Sequence, residues 1–207
     1  MFVDLENYYY YLTVTNENYE QPSKPKDSDE GIIKGMYRLI ENKEHQVILI
    51  GSGSILNESV KALEILSSVG IAAEVWSVTS FNMLRKEGID KQRFNELNPD
   101  TPSEPTYVEE CLSDESIPVI AATDYMRAYP EQIRSYIKAP FYTLGTDGYG
   151  RSDSRKNLRE FFEIDAKNIA RMASYALFKK GLITKTEINK IYKKLKVDPA
   201  KPNPWEV

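Results

Sequence analysis

A glycine-rich turn ends a short apolar run in the first half of the chain. Residues 47–56 read VILIGSGSIL, so the run stops at Gly51-Ser52-Gly53-Ser54. Backbone N–H groups of such a turn bind phosphate when a helix follows a buried strand. A dinucleotide fingerprint needs G-x-G-x-x-G, but Leu56 takes the place of the third glycine, and no P-loop lysine follows. We favour a tight strand-to-helix turn and keep an anion-binding turn as the alternative.

A second glycine-containing stretch, residues 144–165, reads LGTDGYGRSDSRKNLREFFEID. Its segment Gly150-Arg151-Ser152-Asp153-Ser154 differs from the G-x-S-x-G nucleophile elbow in its last residue. In that hydrolase class the histidine follows the serine, whereas the one histidine of this chain, His45, precedes it. The chain has no H-E-x-x-H sequence and one cysteine, Cys111. The sequence therefore argues against a hydrolase and against a metalloenzyme.

The same stretch is rich in side chains that make contacts. It turns on three glycines and enters a predicted helix that carries several basic residues. Guanidinium groups near a helix N-terminus bind anions or the polar surface of another domain, and their density here favours an interface. The candidate interface or anion-binding residues are Tyr8, Tyr11, Gly51, Ser52, Gly53, Ser54, Asp124, Tyr125, Asp147, Tyr149, Arg151, Ser152 and Arg155.

The elements that position these residues alternate between strands and helices. Residues 7–19 are aromatic and β-branched, which favours a strand, and a linker rich in proline and charge follows. Five further strands are predicted at residues 32–40, with a bulge at Gly35, and at residues 46–51, 71–78, 117–122 and 141–145. This alternation predicts an α/β protein with a mostly parallel sheet covered on both faces.

Helices are predicted between and after these strands. Ser54 is expected to cap a first helix that Gly70 closes, and two short helices are expected at residues 81–88 and 90–98, the second introduced by Asp90. Residues 130–137 are expected to form another. Ser152 or Asp153, Asp165, and a Thr184 and Glu187 capping box are expected to start three more. The tail, with three prolines, is expected to wrap irregularly.

Composition narrows the possible functions. Of 207 residues, 41% are hydrophobic, which suffices for a core, and the formal net charge of −4 argues against a nucleic-acid footprint. No apolar stretch is long enough to span a bilayer and the residues that follow Met1 are not a charged-then-apolar leader, so neither a membrane nor export is expected. A single cysteine fits a reducing compartment. We expect a soluble cytoplasmic protein.

Residues 144–165 strongly resemble the C-terminal domain of the single-chain bacterial pyruvate dehydrogenase (acetyl-transferring) family. The blocks YYYYLTVTNENYEQP, GIIKGMYRL, LIGSGSIL, VWSVTSFNMLRKEG, AATDYMR and PNPWEV resemble the same family in the same order. The resemblance covers essentially the whole chain. It implies a transketolase C-terminal type fold, a three-layer α/β/α sandwich on a five-stranded mixed sheet whose first strand is antiparallel to the others.

The resemblance also implies an activity for a longer parent enzyme. That enzyme decarboxylates pyruvate with thiamine diphosphate and Mg²⁺, and it acetylates the lipoyl group of an acetyltransferase core. Gly145-Thr146-Asp147-Gly148 is not the family's diphosphate motif, no paired asparagines follow it, and the family's histidine cluster is absent. We therefore expect no catalytic, cofactor-binding or metal-binding residue in this chain.

Three hypotheses follow for the chain itself. The first is a non-catalytic domain, residues 29–207, that supports a homodimer and follows an arm, residues 1–28, from a preceding domain. The second is a regulatory module that binds a small anion or nucleotide at Gly51-Ser52-Gly53-Ser54. An autonomous enzyme is the third, and no acid–base pair supports it.

Overall fold

The computed structural model describes residues 3, 5, 14 and 16–206. Tyr8 and Tyr11 lie outside the described residues, as does most of the strand predicted over residues 7–19. The described end of that prediction, residues 16–19, is not a strand.

A five-stranded mixed sheet forms the centre of the fold. Its strands are β1 (Met36–Ile40), β2 (Val47–Ser52), β3 (Ala73–Val78), β4 (Val119–Ala122) and β5 (Phe141–Leu144), in the order β1-β3-β2-β4-β5. β1 pairs with β3 antiparallel, and the other pairs are parallel. The predicted α/β fold class, with an antiparallel first strand, is confirmed.

Helices and short 3₁₀ turns connect the strands. The helices are α1 (Asp29–Lys34), α2 (Leu56–Ser67), α3 (Phe81–Leu97), α4 (Tyr107–Cys111), α5 (Ala128–Glu131), α6 (Arg155–Phe161), α7 (Ala166–Lys179) and α8 (Lys185–Leu195). The 3₁₀ turns are Gly53–Ile55, Arg134–Tyr136 and Pro204–Glu206. Asp165 caps α7 as predicted, and Thr184 and Glu187 form the predicted capping box of α8.

The sheet has a buried core on each face because successive side chains of a strand point to opposite sides. Leu49 of β2 belongs to the core that α2, α7 and α8 cover. Its neighbours Ile48 and Ile50 belong to the core that includes residues of α3 and α4. β2, the central strand of the sheet, is thus apolar on both sides over residues 47–50, as a covered parallel sheet requires.

The strand predicted over residues 32–40 is wrong in its first half. Residues 29–34 form α1, and Gly35 ends that helix at φ 115° with its N–H bonded to the Gly31 carbonyl. Gly35 is therefore a left-handed helix cap and not a bulge. The register of β1 against β3 shifts instead between Arg38 and Ile40.

The two short helices predicted around Asp90 are one continuous helix, α3. Gly88 lies inside it because the Tyr136 ring packs there: a Cβ on Gly88 would lie 2.4 Å from that ring. Close packing thus outweighs the helix cost of a central glycine, about 1 kcal/mol.

Two other predicted helix starts are displaced. Ser54 lies inside a 3₁₀ turn, and α2 begins after Ile55 without a side-chain cap. α6 begins after Ser154, whose side chain accepts the Asn157 N–H, and not after Ser152 or Asp153. The helix predicted over residues 130–137 is divided between α5 and the Arg134–Tyr136 turn.

Candidate interface at the carboxyl ends of the strands

Three chain segments meet where the parallel strands β2, β4 and β5 end. Ser52 donates a hydrogen bond to the Thr123 hydroxyl at 2.9 Å, and Ser54 donates one to the Asp124 carboxylate at 3.2 Å. Thr146 donates to the Asp124 carbonyl at 2.8 Å. The carboxyl ends of parallel strands are the usual place for ligand or domain contacts. We call this region the carboxyl edge.

Tight packing accounts for the glycines of the Gly51-Ser52-Gly53-Ser54 turn. A Cβ on Gly51 would lie 2.6 Å from the Leu56 Cα and 2.8 Å from the Ser59 hydroxyl. Gly53 has φ 54°, and a Cβ there would lie 3.7 Å from a carboxylate oxygen of Asp124. The turn therefore brings strand and helix together and carries a negative group beside it, which disfavours an anion.

A mostly buried ion pair lies under this turn. Arg159 of α6 contacts Glu58 of α2 at 3.2 Å, and the two side chains are 14% and 9% exposed. Arg159 also donates to the hydroxyls of Tyr19 and Ser54, at 3.0 and 3.2 Å. The second Glu58 oxygen accepts the Ala166 N–H at 3.1 Å, at the start of α7. One arginine thus joins the turn, two helices and the N-terminal segment.

The N-terminal segment, residues 16–20, is fastened to the same two helices. The Tyr19 ring lies 5.5 Å from the Arg159 guanidinium. Arg155 forms an ion pair with Glu17 at 2.8 Å and donates a hydrogen bond to Asn16. Asn57 of α2 donates to the Glu20 carbonyl at 3.3 Å. Of the candidate residues, Arg155 is therefore a contact of this segment.

Asp147 fixes the loop that follows β5. One of its carboxylate oxygens accepts the Arg127 N–H at 3.0 Å, and the other lies 3.3 Å from the Arg127 guanidinium. A Cβ on Gly145 would lie 2.7 Å from the backbone nitrogen of Arg127, so the two loops touch. The carboxylate therefore joins the loop after β4 to the loop after β5.

The outer side of this loop carries exposed aromatic and basic groups. Tyr149 is 90% exposed, and Ser152 is exposed. The Arg151 guanidinium lies 4.4 Å from the centre of the Phe161 ring. Tyr125 is 48% exposed, and its ring lies 4.8 Å from that of Tyr129. Residues brought together here have the composition of an interface core, which is rich in tyrosine and arginine.

The C-terminal tail lies across the loop from its other side. A Cβ on Gly148 would lie 2.9 Å from the Trp205 Cα. Lys201 donates to the carbonyls of Glu160 and Phe161 at 2.8 and 3.0 Å. A small cavity of about 70 Å³ remains between tail and loop. The loop is thus held on two sides.

Cys111 and His45 lie away from the carboxyl edge and have structural contacts in the described part of the chain. Burial raises the pKa of the Cys111 thiol, which disfavours the nucleophilic thiolate. His45 contacts the Asn42 carbonyl at 2.6 Å and lies 3.7 Å from Glu74. Across residues 16–206 and the three other described positions, no cluster of three or more His, Cys, Asp or Glu could hold a metal ion.

Sequence reasoning missed the Glu58 and Arg159 pair. Glu58 lies on a face of α2 that hydrophobic periodicity alone would predict to be polar and exposed. Its partner Arg159 is 101 residues away in the sequence. Arg159, a basic residue on the helix predicted to start at Ser152 or Asp153, was the one available signal. No helix in the described part of the chain combines the length and apolar character that crossing a membrane requires.

Similarity to known proteins agrees with this fold. Residues 35–165 match the family model of the transketolase-like TK C-terminal domain. The chain is 48% identical over its whole length to the pyruvate dehydrogenase E1 component of Pseudomonas aeruginosa and covers 24% of it. It is 46% identical over 96% of its length to the Escherichia coli K12 protein of that name and covers 23% of it. The chain thus spans about a quarter of these relatives.

Solved structures show the same fold at lower identity. A transketolase from Leishmania mexicana matches 76% of the chain at 21% identity with a TM-score of 0.52, over 20% of its own length. A transketolase from Pichia stipitis matches 73% at 24% identity with a TM-score of 0.51, over 19% of its length. The chain therefore belongs to the transketolase-like TK C-terminal domain family.

Proposed function

We propose that this chain is the C-terminal, non-catalytic domain of a pyruvate dehydrogenase E1 component, an oxidoreductase. The observation that carries the proposal is the 48% identity over the whole chain to one such E1 component, of which it covers 24%. We assign residues 29–207 to the domain and residues 1–28 to an arm from a preceding domain.

In the whole enzyme, thiamine diphosphate with Mg²⁺ supplies the electron sink for decarboxylating pyruvate before the acetyl group passes to the lipoyl group of the acetyltransferase core. The carboxyl edge of this chain does not fit that coenzyme. Asp147, which a Mg²⁺ site would need free, is turned to Arg127, and Asp124 places a carboxylate beside the Gly53 turn. We place the coenzyme in the domains that precede this one.

The role of this chain is to position its neighbours. Asp147 holds the loop that presents Tyr149 and Arg151, and Arg155 and Arg159 hold the segment that leads in from residues 1–15. Ordered aromatic and guanidinium groups stabilise an interface at low entropy cost. We propose that the preceding domains and a homodimer partner pack on this edge, in a cytoplasmic enzyme.

Calorimetric titration of thiamine diphosphate and Mg²⁺ into this chain, with its mass in solution recorded, tests the first part of the proposal. We expect no binding heat from the folded chain. Saturable one-to-one binding would place a coenzyme site here and overturn the assignment. Pyrophosphate in the same cell tests the alternative of a regulatory anion site at Gly51-Ser52-Gly53-Ser54, which the Asp124 carboxylate disfavours.

A chimeric enzyme tests the positioning role. The Pseudomonas aeruginosa E1 component would carry this chain in place of its corresponding quarter, beside a truncated enzyme without it. We expect pyruvate decarboxylation from the chimera and none from the truncated enzyme. Tyr149→Ser should weaken the chimera's dimer, whereas Lys86→Ser, exposed on α3, should leave it unchanged. Full activity of the truncated enzyme would contradict the proposal.

A further inference from the structure

An apolar groove lies at the edge of the sheet where the parallel strands begin, opposite to the carboxyl edge. Its volume is about 370 Å³. The apolar side chains that line it come from the turn between α2 and β3 and from α8 with the turn before it: Val69, Ile71, Leu182, Ile183 and Ile191. Leu182 is 53% exposed. We call this region the amino edge. Its groove is a surface that an apolar side chain of a partner can cover.

Lysines dominate the chain segment that forms one side of this groove. Residues 179–196 contain seven lysines and one acid, Glu187. All seven lysines are exposed, and none forms a salt bridge to a carboxylate of the described chain. Glu187 also lines the groove, but its carboxylate accepts hydrogen bonds from the Thr184 N–H and hydroxyl, both at 2.7 Å. The groove is therefore bordered by positive charge that the described chain does not neutralise.

Two of these lysines, Lys190 and Lys194 of α8, line the groove itself. The Lys194 ammonium donates hydrogen bonds to the Ser68 carbonyl at 3.2 Å and to the Ser68 hydroxyl at 3.0 Å, at the end of α2. A cation at a helix C-terminus is stabilised by the carbonyl groups of the last turn, so this charge is held in place. Lys190, one turn earlier on α8, is exposed. Apolar walls and positive charge thus occur together in one groove.

The amino edge is remote from the segment through which the preceding domains are proposed to connect. The six residues of β2 separate the two edges by about 17 Å, at about 3.3 Å per residue. Residues 16–20 pack at the carboxyl edge, where Asn16 contacts Arg155, and the tail residue Trp205 packs there on Gly148. The preceding domains therefore approach the other edge, which leaves the groove accessible to a separate protein. Only this accessibility rests on the proposed function.

We propose that the amino edge binds an acidic segment of a separate protein, with one large apolar side chain of that segment in the groove. Carboxylates on either side of this side chain face Lys190 and Lys194. Opposite charges across an interface fix the register of the partner and speed its association, while the apolar contact with Leu182 provides affinity.

A nucleic acid or an anionic membrane fits this edge less well. Both present an extended array of phosphates, which needs a basic surface free of acids. The lysines of this edge have acidic neighbours, since Lys180 donates a hydrogen bond to the Ser116 carbonyl and its charge acts on Asp114. Glu115, the next residue, is exposed. A short acidic segment can occupy the groove without meeting these carboxylates.

Fluorescence anisotropy with two labelled peptides measures this binding. One peptide has a central leucine with three glutamates on each side, and the other has alanine in place of the leucine. In about 0.1 M salt we expect saturable one-to-one binding of the leucine peptide to the chain, and about tenfold weaker binding of the alanine peptide. The leucine peptide should bind at least about fivefold more weakly in about 1 M salt, where the screening length falls to about 3 Å.

Substitutions in the groove locate the binding site. Lys190→Glu with Lys194→Glu should weaken binding of the leucine peptide about tenfold or more, and Leu182→Ser should remove the preference for leucine over alanine. Arg85→Glu with Lys86→Glu, exposed on α3, is the matched control and should leave both affinities unchanged. Urea midpoints of all variants show that each is folded.

Three outcomes would refute the inference. The first is the absence of saturable binding by the folded chain. The second is equal affinity for the two peptides, or an affinity that the lysine substitutions leave unchanged. The third is tighter binding of single-stranded DNA, or of vesicles of phosphatidylserine and phosphatidylcholine, at the same lysines, because it would identify a phosphate-binding surface instead.

The chimeric enzyme in the same assay separates this inference from the proposed function. We expect it to bind the leucine peptide as tightly as the isolated chain does. Binding by the isolated chain alone would show that other domains of the enzyme cover the groove, and the inference would be wrong. A chimera that binds the peptide but does not decarboxylate pyruvate would count against the proposed function alone.

Discussion

The two glycine-containing turns of the carboxyl edge follow parallel strands but differ in what they expose to solvent. The turn after β2 faces inward, and a Cβ on Gly51 would meet the backbone of α2 at 2.6 Å. The loop after β5 faces outward and leaves Tyr149 90% exposed. Glycines allow close backbone approach in both places, at Gly51 and at Gly145, but only the loop after β5 continues outward to present an exposed side chain. What decides between them is the segment that packs beside the turn.

The same comparison separates packing energy from interface function. Damage to the inward turn should lower the stability of the isolated domain, whereas damage to the outward loop should mainly affect the whole enzyme. Four substitutions test this division, and each has a measurable effect on the free energy of unfolding.

Gly51→Ala should have the largest effect. The new methyl group would meet the Leu56 Cα and the Ser59 hydroxyl, and backbone in a helix cannot move aside. We expect a loss of about 3 kcal/mol in the free energy of unfolding by urea denaturation. Gly150→Ala is the matched control, since nothing lies within 4 Å of its Cβ position. An equal loss at both positions would remove the distinction between the turns.

The order of strands and helices was predictable because hydrophobic periodicity and caps are local. The start of α7 is predicted by its N-cap Asp165, and the start of α8 by the capping box of Thr184 and Glu187. Gly88 misled the prediction because its reason, the Tyr136 ring, lies 48 positions away. The prediction at Gly35 was wrong because a glycine inside a stretch rich in apolar residues fits a helix cap as well as a bulge.

Arg159→Met should have the second largest effect. It removes the partner of the mostly buried Glu58, which keeps Lys61 at 3.0 Å and the Ala166 N–H. We expect a loss of about 2 kcal/mol, measured as above, and faster proteolysis within residues 16–20. Arg155→Met, whose ion pair with Glu17 is more exposed, should cost less than about 0.5 kcal/mol. Similar losses would show that burial is not what gives the Arg159 pair its strength.

The candidate site was predictable only in its outline. The carboxyl ends of parallel strands lie at the same edge of a sheet, so the sequence predicts that Ser54, Asp124 and Asp147 lie near one another. Their partners were not predictable, since Arg127 and Asp147 lie on different loops and no spacing relates them. The predictions for Tyr8 and Tyr11 stay predictions.

Asp147→Ala should have a smaller effect that sharpens the contrast between the turns. It leaves the Arg127 N–H without its acceptor and removes a half-exposed ion pair. We expect a loss of about 1 kcal/mol from the isolated domain by urea denaturation. In the chimeric enzyme the same substitution should lower dimer affinity, because the loop that carries Tyr149 is released. Asp147→Asn, which still accepts the N–H, should lose less. A domain loss as large as that of Gly51→Ala would mean that the outward loop belongs to the core.

Glu131→Gln should give the smallest effect. It tests how much the contact of α5 with β5, the strand that leads into the outward loop, adds to stability. Its carboxylate accepts a hydrogen bond from Thr143 at 2.7 Å and pairs with Arg134. The Arg134 guanidinium, ahead of the Thr143 hydroxyl, holds the pKa of Glu131 below its usual value, against the effect of burial. A lowered carboxyl pKa in the folded state adds stability above the unfolded pKa, and that stability is lost as pH falls through the folded pKa. Between about pH 6 and about pH 3, we expect the free energy of unfolding of the wild type to fall by a few tenths of a kcal/mol more than that of Glu131→Gln. The difference is small because the Arg134 and Glu131 side chains are 50% and 35% exposed, so solvent screens the pair. Urea midpoints at both pH values measure this difference. A larger loss of stability in Glu131→Gln than in the wild type would contradict this prediction. It would mean that the ion pair of Glu131 with Arg134 adds no stability to the folded domain.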